Sequence, residues 1–516
     1  MVLLTGKATA FARSQTAERT WFWVALMAAL AFAPYAGATP EDEIRRIVDE
    51  ERARGGAPAL SVVVISDGQV LAEYATGLAD IEAGVGATPE TQFPAASVSK
   101  ILTAVLVMRQ VEAGRLNLDA PVNTYLEPHL WVRDQGGEPV DATLRQLLSH
   151  SSGLPMAWDG IVAWGDPVST MEDHLAQGLR TIHAPGDRVV YANDGLALAG
   201  YVAAQAAGQP FADLARQALF EPLGMTRSTF ESPWQLEGSL AAGYGNLFFS
   251  SSDRAHHADA TAIAPAGGLI TTSPDLARFA LMLLGEGELD GVRILRPESV
   301  AEMMRLQARG HPDLDEGFGL GFGARVRPDW RMVWWDGAIT GAAARLALLP
   351  DAELGVVVLS NLADNDITAV TGRRILDALA PFPTAKYHAS TEEFARVTGL
   401  YRMVEYLGPE QSYLGYFVAF EVERRGEELW QSSPISGERI LIPVGPNRFR
   451  LMGSMYDDAT VLFDGDMMHM GFIRARRISV WASPTAIVTY GAIFALLLIS
   501  ILGLGVWRLA QRLRGS

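Results

Sequence analysis

Hydrophobic and polar positions divide the chain into distinct stretches. The segment PEDEIRRIVDEERARG (40–55) has the period of an amphipathic helix closed by Gly55. ALSVVVISDGQVLAEYATG (59–77) is two apolar runs about Ser66-Asp67-Gly68, and Asp-Gly between β-branched runs signals a hairpin. A strongly apolar stretch from Ser97 to Ala113, closed by Gly114, predicts a buried helix with Ser97 in its first turn. Residues 140–235 mix helical runs with Gly- and Pro-punctuated loops. Strand patterns return at Met332–Trp334, Ala343–Leu349 and Leu354–Ser360, with Pro350-Asp351 turning between the last two. Strands early and late with helices between them predict an α+β domain whose sheet joins both ends and carries an inserted helical lobe.

Pro381-Phe382-Pro383-Thr384 marks a boundary, so this domain is expected over 39–385. Beyond it, FVAFEVERRGEELW, ERILIPVGPNRFRLMG and ATVLFDGDMMHMGFIR alternate about Gly or Pro-Asn turns. They predict a small antiparallel β domain over about 390–480.

The two ends have a different pattern. Lys7, Arg13 and Arg19 precede an apolar run from Trp21 to Ala33 and the triplet Ala36-Gly37-Ala38, the pattern of a signal peptide over 1–38. The run from Ala486 to Trp507 has no charged residue and suits one transmembrane helix over 485–507, with 508–516 as a cytoplasmic tail. A leader would send the intervening chain to the periplasmic or extracellular face. The net charge is −17; removing the leader's +2 and the tail's +3 leaves −22 on the exported part. That surface disfavours nucleic acid and anionic lipid as partners. The chain has no cysteine, so its stability rests on its core and not on disulfides.

Lysine usage introduces the chemistry. Of 42 Lys and Arg residues only Lys7, Lys100 and Lys386 are lysines. A chain that uses Arg wherever positive charge suffices, yet keeps Lys100 in an apolar helix, points to a role arginine cannot fill. A buried lysine can lose its proton and act as a base. Lys100 follows Ser97 by three residues, a spacing that brings hydroxyl and amine together on one helical face. Ser-x-x-Lys alone is a weak signal in a chain of this length. Downstream, PGDRVVYAN holds Tyr191-Ala192-Asn193, and a phenol beside a lysine can share its proton. In MVWWDGAITGAAARLALLPD, a backbone N–H following the turn glycine can complete an oxyanion hole.

Six segments in order resemble the serine β-lactamase and penicillin-binding-protein-like hydrolases, in the branch of class C β-lactamases, D-Ala carboxypeptidases and related esterases. They are FPAASVSK, TLRQLLSHSSGLP, PGDRVVYAN, EPLGMTRSTF, APAGGLITTSPDLARF and LLPDAELGVVVLSN, spread over about Glu43 to Asn361. The resemblance implies an antiparallel sheet flanked by helices with an inserted helical lobe. It implies Ser97 as nucleophile, Lys100 and Tyr191 as coupled base, and Asn193 orienting substrate or Lys100. The oxyanion donors it implies are the backbone N–H groups of Ser97 and Ala338, and it implies no metal and no organic cofactor.

One triplet departs from the family. Where relatives carry Lys-Thr-Gly or His-x-Gly, this chain has Trp335-Asp336-Gly337. Trp335 brings no cation for a substrate carboxylate, and Asp336 is expected to add a repelling charge; the alternative is that another residue, such as Arg345 of the next strand, supplies the cation. The expectation is therefore a small neutral ester or acyl substrate. The alternatives are a penicillin-binding D-Ala carboxypeptidase or β-lactamase, and a non-catalytic membrane-anchored binding or sensor module. Other features carry less. His150, in Ser149-His150-Ser151, lies in a segment that is structural in the family. No Gly-x-Ser-x-Gly elbow is present. His256-His257 with Asp253 and Asp259 matches no metal-ligand spacing and reads as a solvated loop.

Overall fold

The computed structural model describes residues 39–479 except 164–165, 234–239, 247–248, 258, 328–329, 382–386, 405–418, 434–436, 453–458, 472. The expected leader and the expected transmembrane helix lie outside the described residues. Among the described residues no helix is long and apolar enough to cross a membrane.

Helix α1 (Pro40–Gly55) precedes the hairpin of β1 (Ala59–Ser66) and β2 (Gln69–Asp80). Asp67 and Gly68 both take positive φ at the turn, as a tight two-residue hairpin loop requires. After the short β3 (Val85–Gly86), β4 (Phe93–Ala96) leads into α2 (Ser99–Glu112). The helical lobe follows and includes α3 (Asn193–Ala207). The chain then forms β5 (Leu269–Thr271), which pairs with β4, and α4 (Ser273–Leu284).

Five strands complete the main sheet: β6 (Glu316–Phe318), β7 (Gly323–Arg327), β8 (Trp330–Ile339), β9 (Ala342–Leu349) and β10 (Leu354–Ser360). Its order is β6-β7-β8-β9-β10-β1-β2-β3, and its pairings are antiparallel. The early hairpin thus joins the late strands through β1 and β10, from Leu60 opposite Ser360 to Ile65 opposite Gly355. β9 and β10 are buried along their whole length, which explains their near-unbroken apolar sequences. Helix α2 is buried from Ser99 to Met108 between the sheet and the lobe. Helix α5 (Asn365–Leu379) packs on β8, β9 and β10.

After α6 (Thr391–Val397), eight strands form a closed barrel. They are β11 (Gly399–Met403), β12 (Ala419–Arg425), β13 (Glu428–Ser433), β14 (Gly437–Gly445), β15 (Arg448–Met452), β16 (Thr460–Asp464), β17 (Met467–Met470) and β18 (Ile473–Ile478). Each strand pairs antiparallel with its sequence neighbour, and β11 closes the ring by pairing with both β12 and β18. Inward residues such as Tyr401, Val422, Leu429, Phe449 and Val461 fill the interior. Closure removes the open edges that a small sheet would expose. Polar contacts tie the barrel to the preceding domain: Thr460 Oγ1 donates to Asp315 Oδ1 at 2.7 Å, and Arg439 pairs with Asp366 at 3.0 Å.

Two expectations are corrected here. Helix α2 starts at Ser99, so Ser97 lies in the preceding turn and not in the first helical turn. The apolar pattern alone does not mark that boundary, because Ala96 and Val98 on either side of Ser97 are as apolar as the helix. The His256-His257 region is solvated only in part, at the exposed Asp253 and His256. His257 and Asp259 are buried; His257 Nε2 bonds the Ala241 carbonyl at 2.7 Å, and Asp259 accepts from Ser232 Oγ and Thr261 N. Polar residues are buried when the backbone supplies partners, which local sequence does not reveal.

Candidate active site

The turn between β4 and α2 is built to expose one hydroxyl. Ala96 has φ of +45°, a left-handed conformation that a non-glycine residue holds only under constraint. Ser99 Oγ donates to the Ala96 carbonyl at 2.5 Å and accepts from Leu269 N at 2.9 Å, fastening the turn to β5. Ser97 follows the strained residue and points its Oγ toward the lobe.

Lys100 is fully buried in α2. Its Nζ donates to the Ala266 carbonyl at 2.6 Å and to Asn193 Oδ1 at 3.0 Å, and lies 3.0 Å from Ser97 Oγ. All three partners are neutral oxygens, and burial pushes the ammonium well below the usual lysine pKa. Tyr191 Oη stands 2.8 Å from Ser97 Oγ, and the Lys100 nitrogen lies 4.9 Å from the Tyr191 ring centroid. Asn193 opens α3 and donates through Nδ2 to the Ala157 carbonyl at 2.8 Å, which turns its oxygen toward Lys100. Residues 97, 100, 191 and 193 therefore meet within hydrogen-bonding distance, although 94 residues separate Ser97 from Tyr191 and 93 separate Lys100 from Asn193.

His150 holds the Tyr191 segment in place. Its Nδ1 accepts the Ala192 N–H at 3.1 Å, and its carbonyl accepts the Val190 N–H at 2.8 Å. The ring packs 4.7 Å from the Tyr191 centroid and 5.7 Å from that of Trp335. Burial pushes the imidazole pKa well below its ordinary value, so the ring is neutral. With Nδ1 accepting, the proton sits on Nε2.

Strand β8 forms the opposite wall. Its residues alternate, so Trp335 and Gly337 face the Ser97 side and Asp336 the other. A Cβ at Gly337 would lie 2.3 Å from the Ala95 carbonyl oxygen and 2.9 Å from Ser97 N, so only glycine lets the strand approach this closely. Ala338 comes next and lines the same cavity as Ser97. β7 reaches only to Gly323 opposite Trp334, which leaves the β8 edge from Trp335 to Ile339 unpaired on that side.

The expected repelling charge of Asp336 is corrected by this geometry. Asp336 is the direct cross-strand partner of Arg345, both side chains are buried, and they pair at 2.9 Å. Burial pushes the carboxyl up to about 6 while Arg345 opposes the shift. The charge is thus compensated, and Arg345 is engaged by Asp336.

One cavity of about 240 Å³ adjoins Ser97 and Tyr191. Its walls include Trp335, which the family triplet marks, and Met156, Trp158, Phe318 and Trp334, which no motif marks. Its remaining charged groups form a second buried pair, Glu316 with Arg325 at 2.6 Å. Ala266 lies in the APAGGLITT segment, but its contribution is a carbonyl oxygen, which residue type does not disclose. Among the described residues no cluster of three or more His, Asp or Glu could hold a metal ion.

An antiparallel sheet flanked by helices, with a Ser-x-x-Lys turn facing a helical lobe, defines a class of serine hydrolases with the β-lactamase/transpeptidase-like fold. The Beta-lactamase family model matches residues 44–380, and the chain belongs to that family. It is 29% identical over 324 residues to penicillin-binding protein 4 of Amycolatopsis lactamdurans, covering 61% of this chain and 83% of the relative. Protein flp of Staphylococcus aureus (strain N315) is 23% identical, over 62% of this chain and 63% of its own length. Protein Rv1367c of Mycobacterium tuberculosis (strain H37Rv) is 31% identical, over 48% and 69% respectively. The solved octameric penicillin-binding protein homologue from Pyrococcus abyssi superposes with a TM-score of 0.57 at 23% identity, covering 84% of this chain and 99% of that one. At that identity the likeness is one of fold.

Proposed function

We propose that this protein hydrolyses neutral carboxylic esters through an acyl-enzyme on Ser97. The observation that carries this reading is the set of hydrogen bonds at Lys100. The Asn193 oxygen and the Ala266 carbonyl can only accept, so they take both hydrogens of a neutral Lys100 amine. The remaining lone pair then faces Ser97 Oγ at 3.0 Å. Ser97 Oγ forms a bond to the ester carbonyl carbon as its proton passes to Lys100, with Tyr191 Oη beside it. Backbone N–H groups of Ser97 and Ala338 hold the oxyanion. The C–O bond to the alcohol breaks, and the alcohol leaves with the proton. Water then attacks the acyl-enzyme by the reverse proton route and releases the acid.

Trp335 supports a neutral substrate. No cation stands at that position, and both arginines lining the cavity are paired with carboxylates. A substrate carboxylate would have to break one of those pairs. The relative named a penicillin-binding protein supports the rival reading, acylation by a β-lactam. The test is intact-mass spectrometry after a fluorophosphonate and, separately, a penicillin, together with nitrophenyl ester turnover. A fluorophosphonate adduct on Ser97 with ester turnover is expected. Rapid penicillin acylation without ester turnover overturns the substrate, and no adduct from either reagent on folded protein overturns the enzyme reading. Export and anchoring by a C-terminal helix belong to the same proposal, and protease accessibility of the catalytic domain on intact cells tests them.

A further inference from the structure

The cavity at Ser97 does not end within the catalytic domain. From Tyr191 its wall continues to Trp335, with ring centroids 6.1 Å apart, and from Trp335 to Phe318 at 5.6 Å. Phe318 and Glu316 lie on the same short strand, β6. There the barrel supplies the wall: Ala459, Met470 and Gly471 line the same cavity as Ser97. A Cβ at Gly471 would sit 3.4 Å from Glu316 Oε1, so the turn between β17 and β18 is in contact with the far end of the cleft. Met470 is 3% exposed and also packs into the barrel core, which fixes that wall to the rigid barrel.

We infer that the Ser97 cleft is an acyl channel and that the barrel sets the length of acyl chain it accepts. The inference rests on the ester-hydrolase reading above and names its substrate class: a neutral ester with an extended apolar acyl group. The leaving oxygen must face Lys100 and Tyr191 to receive its proton. The acyl group is therefore directed the other way, along Trp335 and Phe318 toward Met470 and Gly471. The rings bury methylenes, and Glu316 and Arg325, the charged groups beside Phe318, are held in an ion pair that a charged chain would have to break. Each methylene that fits raises kcat/KM by about fourfold, from the transfer free energy of a buried CH₂. The gain stops where the chain meets the barrel.

The test is the acyl-length profile of nitrophenyl esters from two to sixteen carbons, measured on the full chain. The intact protein is expected to climb, peak and fall. Met470→Ala opens the far wall and is expected to raise the ratio of kcat/KM for long over short chains by about fivefold or more. Gly471→Asn narrows it and is expected to lower that ratio similarly; asparagine tolerates the positive φ of +55°. Thermal melts establish that each variant is folded, and either one suffices if the other is not. Ester turnover with profiles unchanged within twofold in a folded variant overturns the barrel's role and leaves the ester-hydrolase reading standing. A wild-type profile that falls steadily from acetate overturns the channel. Absence of turnover at every length, with or without a penicillin adduct, overturns the underlying reading and the channel with it.

Discussion

Replacing Lys100 by arginine separates charge from basicity. Arginine keeps a long cationic side chain but does not lose its proton in a protein. Lys100 is wholly buried, and its partners are Ser97 Oγ, Asn193 Oδ1 and the Ala266 carbonyl. A guanidinium there is a buried charge facing neutral oxygens, at an effective cost of several kcal/mol. Loss of the general base removes about 10²–10⁴-fold in rate, or about 3–5 kcal/mol of transition-state stabilisation. Lys100→Arg is therefore expected to slow acylation of Ser97 by about a thousandfold. Lys100→Met removes the charge as well as the base. It is expected to be as inactive while leaving the Asn193 and Ala266 oxygens without their donor, a cost of about 1–3 kcal/mol each. The assay is the second-order rate of fluorophosphonate labelling at pH 7, with the adduct mapped to Ser97 and thermal melts run alongside. Labelling of the arginine variant within tenfold of wild type would refute the assignment of Lys100 as base.

Three further outcomes follow from the same geometry. Tyr191→Phe keeps the ring against His150 and Trp335 but removes the hydroxyl 2.8 Å from Ser97 Oγ; acylation is expected to fall about a hundredfold with an unchanged melt, and a change under threefold contradicts the shared-proton role. Because burial depresses the Lys100 pKa, the acylation rate is expected to rise with pH through that depressed value and then stay flat to pH 10, so a unit slope persisting to pH 10 contradicts a neutral amine. Lys100 also links pH to stability: the unfolded chain binds its proton more tightly, so this contribution is present above the unfolded pKa and shrinks as pH falls toward the folded one. At the buried pair, Asp336→Asn strands a guanidinium that cannot discharge, at about 3–5 kcal/mol. Arg345→Met costs less, because Asp336, already pushed up to about 6, takes up a proton; urea denaturation at pH 7 showing equal losses would contradict this. With the pair intact, the raised Asp336 pKa means its contribution to stability falls as pH rises from roughly 4 to 6.

The sequence by itself determined the α+β class, the separate C-terminal β region and the family. These are written in local periodicity, in Asp67-Gly68 and Gly55, and in short motifs whose order along the chain is specific. It also singled out Ser97, Lys100, Tyr191 and Asn193, because scarce lysine and adjacent Tyr-x-Asn are visible without coordinates. Tertiary structure alone decided what depends on distant backbone. The Ala266 and Ala157 carbonyls that orient Lys100 and Asn193 have no side-chain signature. His150 acts through a ring nitrogen on Ala192 N, 42 residues away. Asp336 reads as a loose charge until strand register sets Arg345 opposite it. The barrel closes only when β11 meets β18, more than 70 residues on, and only then do Met470 and Gly471 reach the cleft of Ser97. Local pattern encodes which face a residue turns inward; which distant atom meets it there is set by how the elements pack.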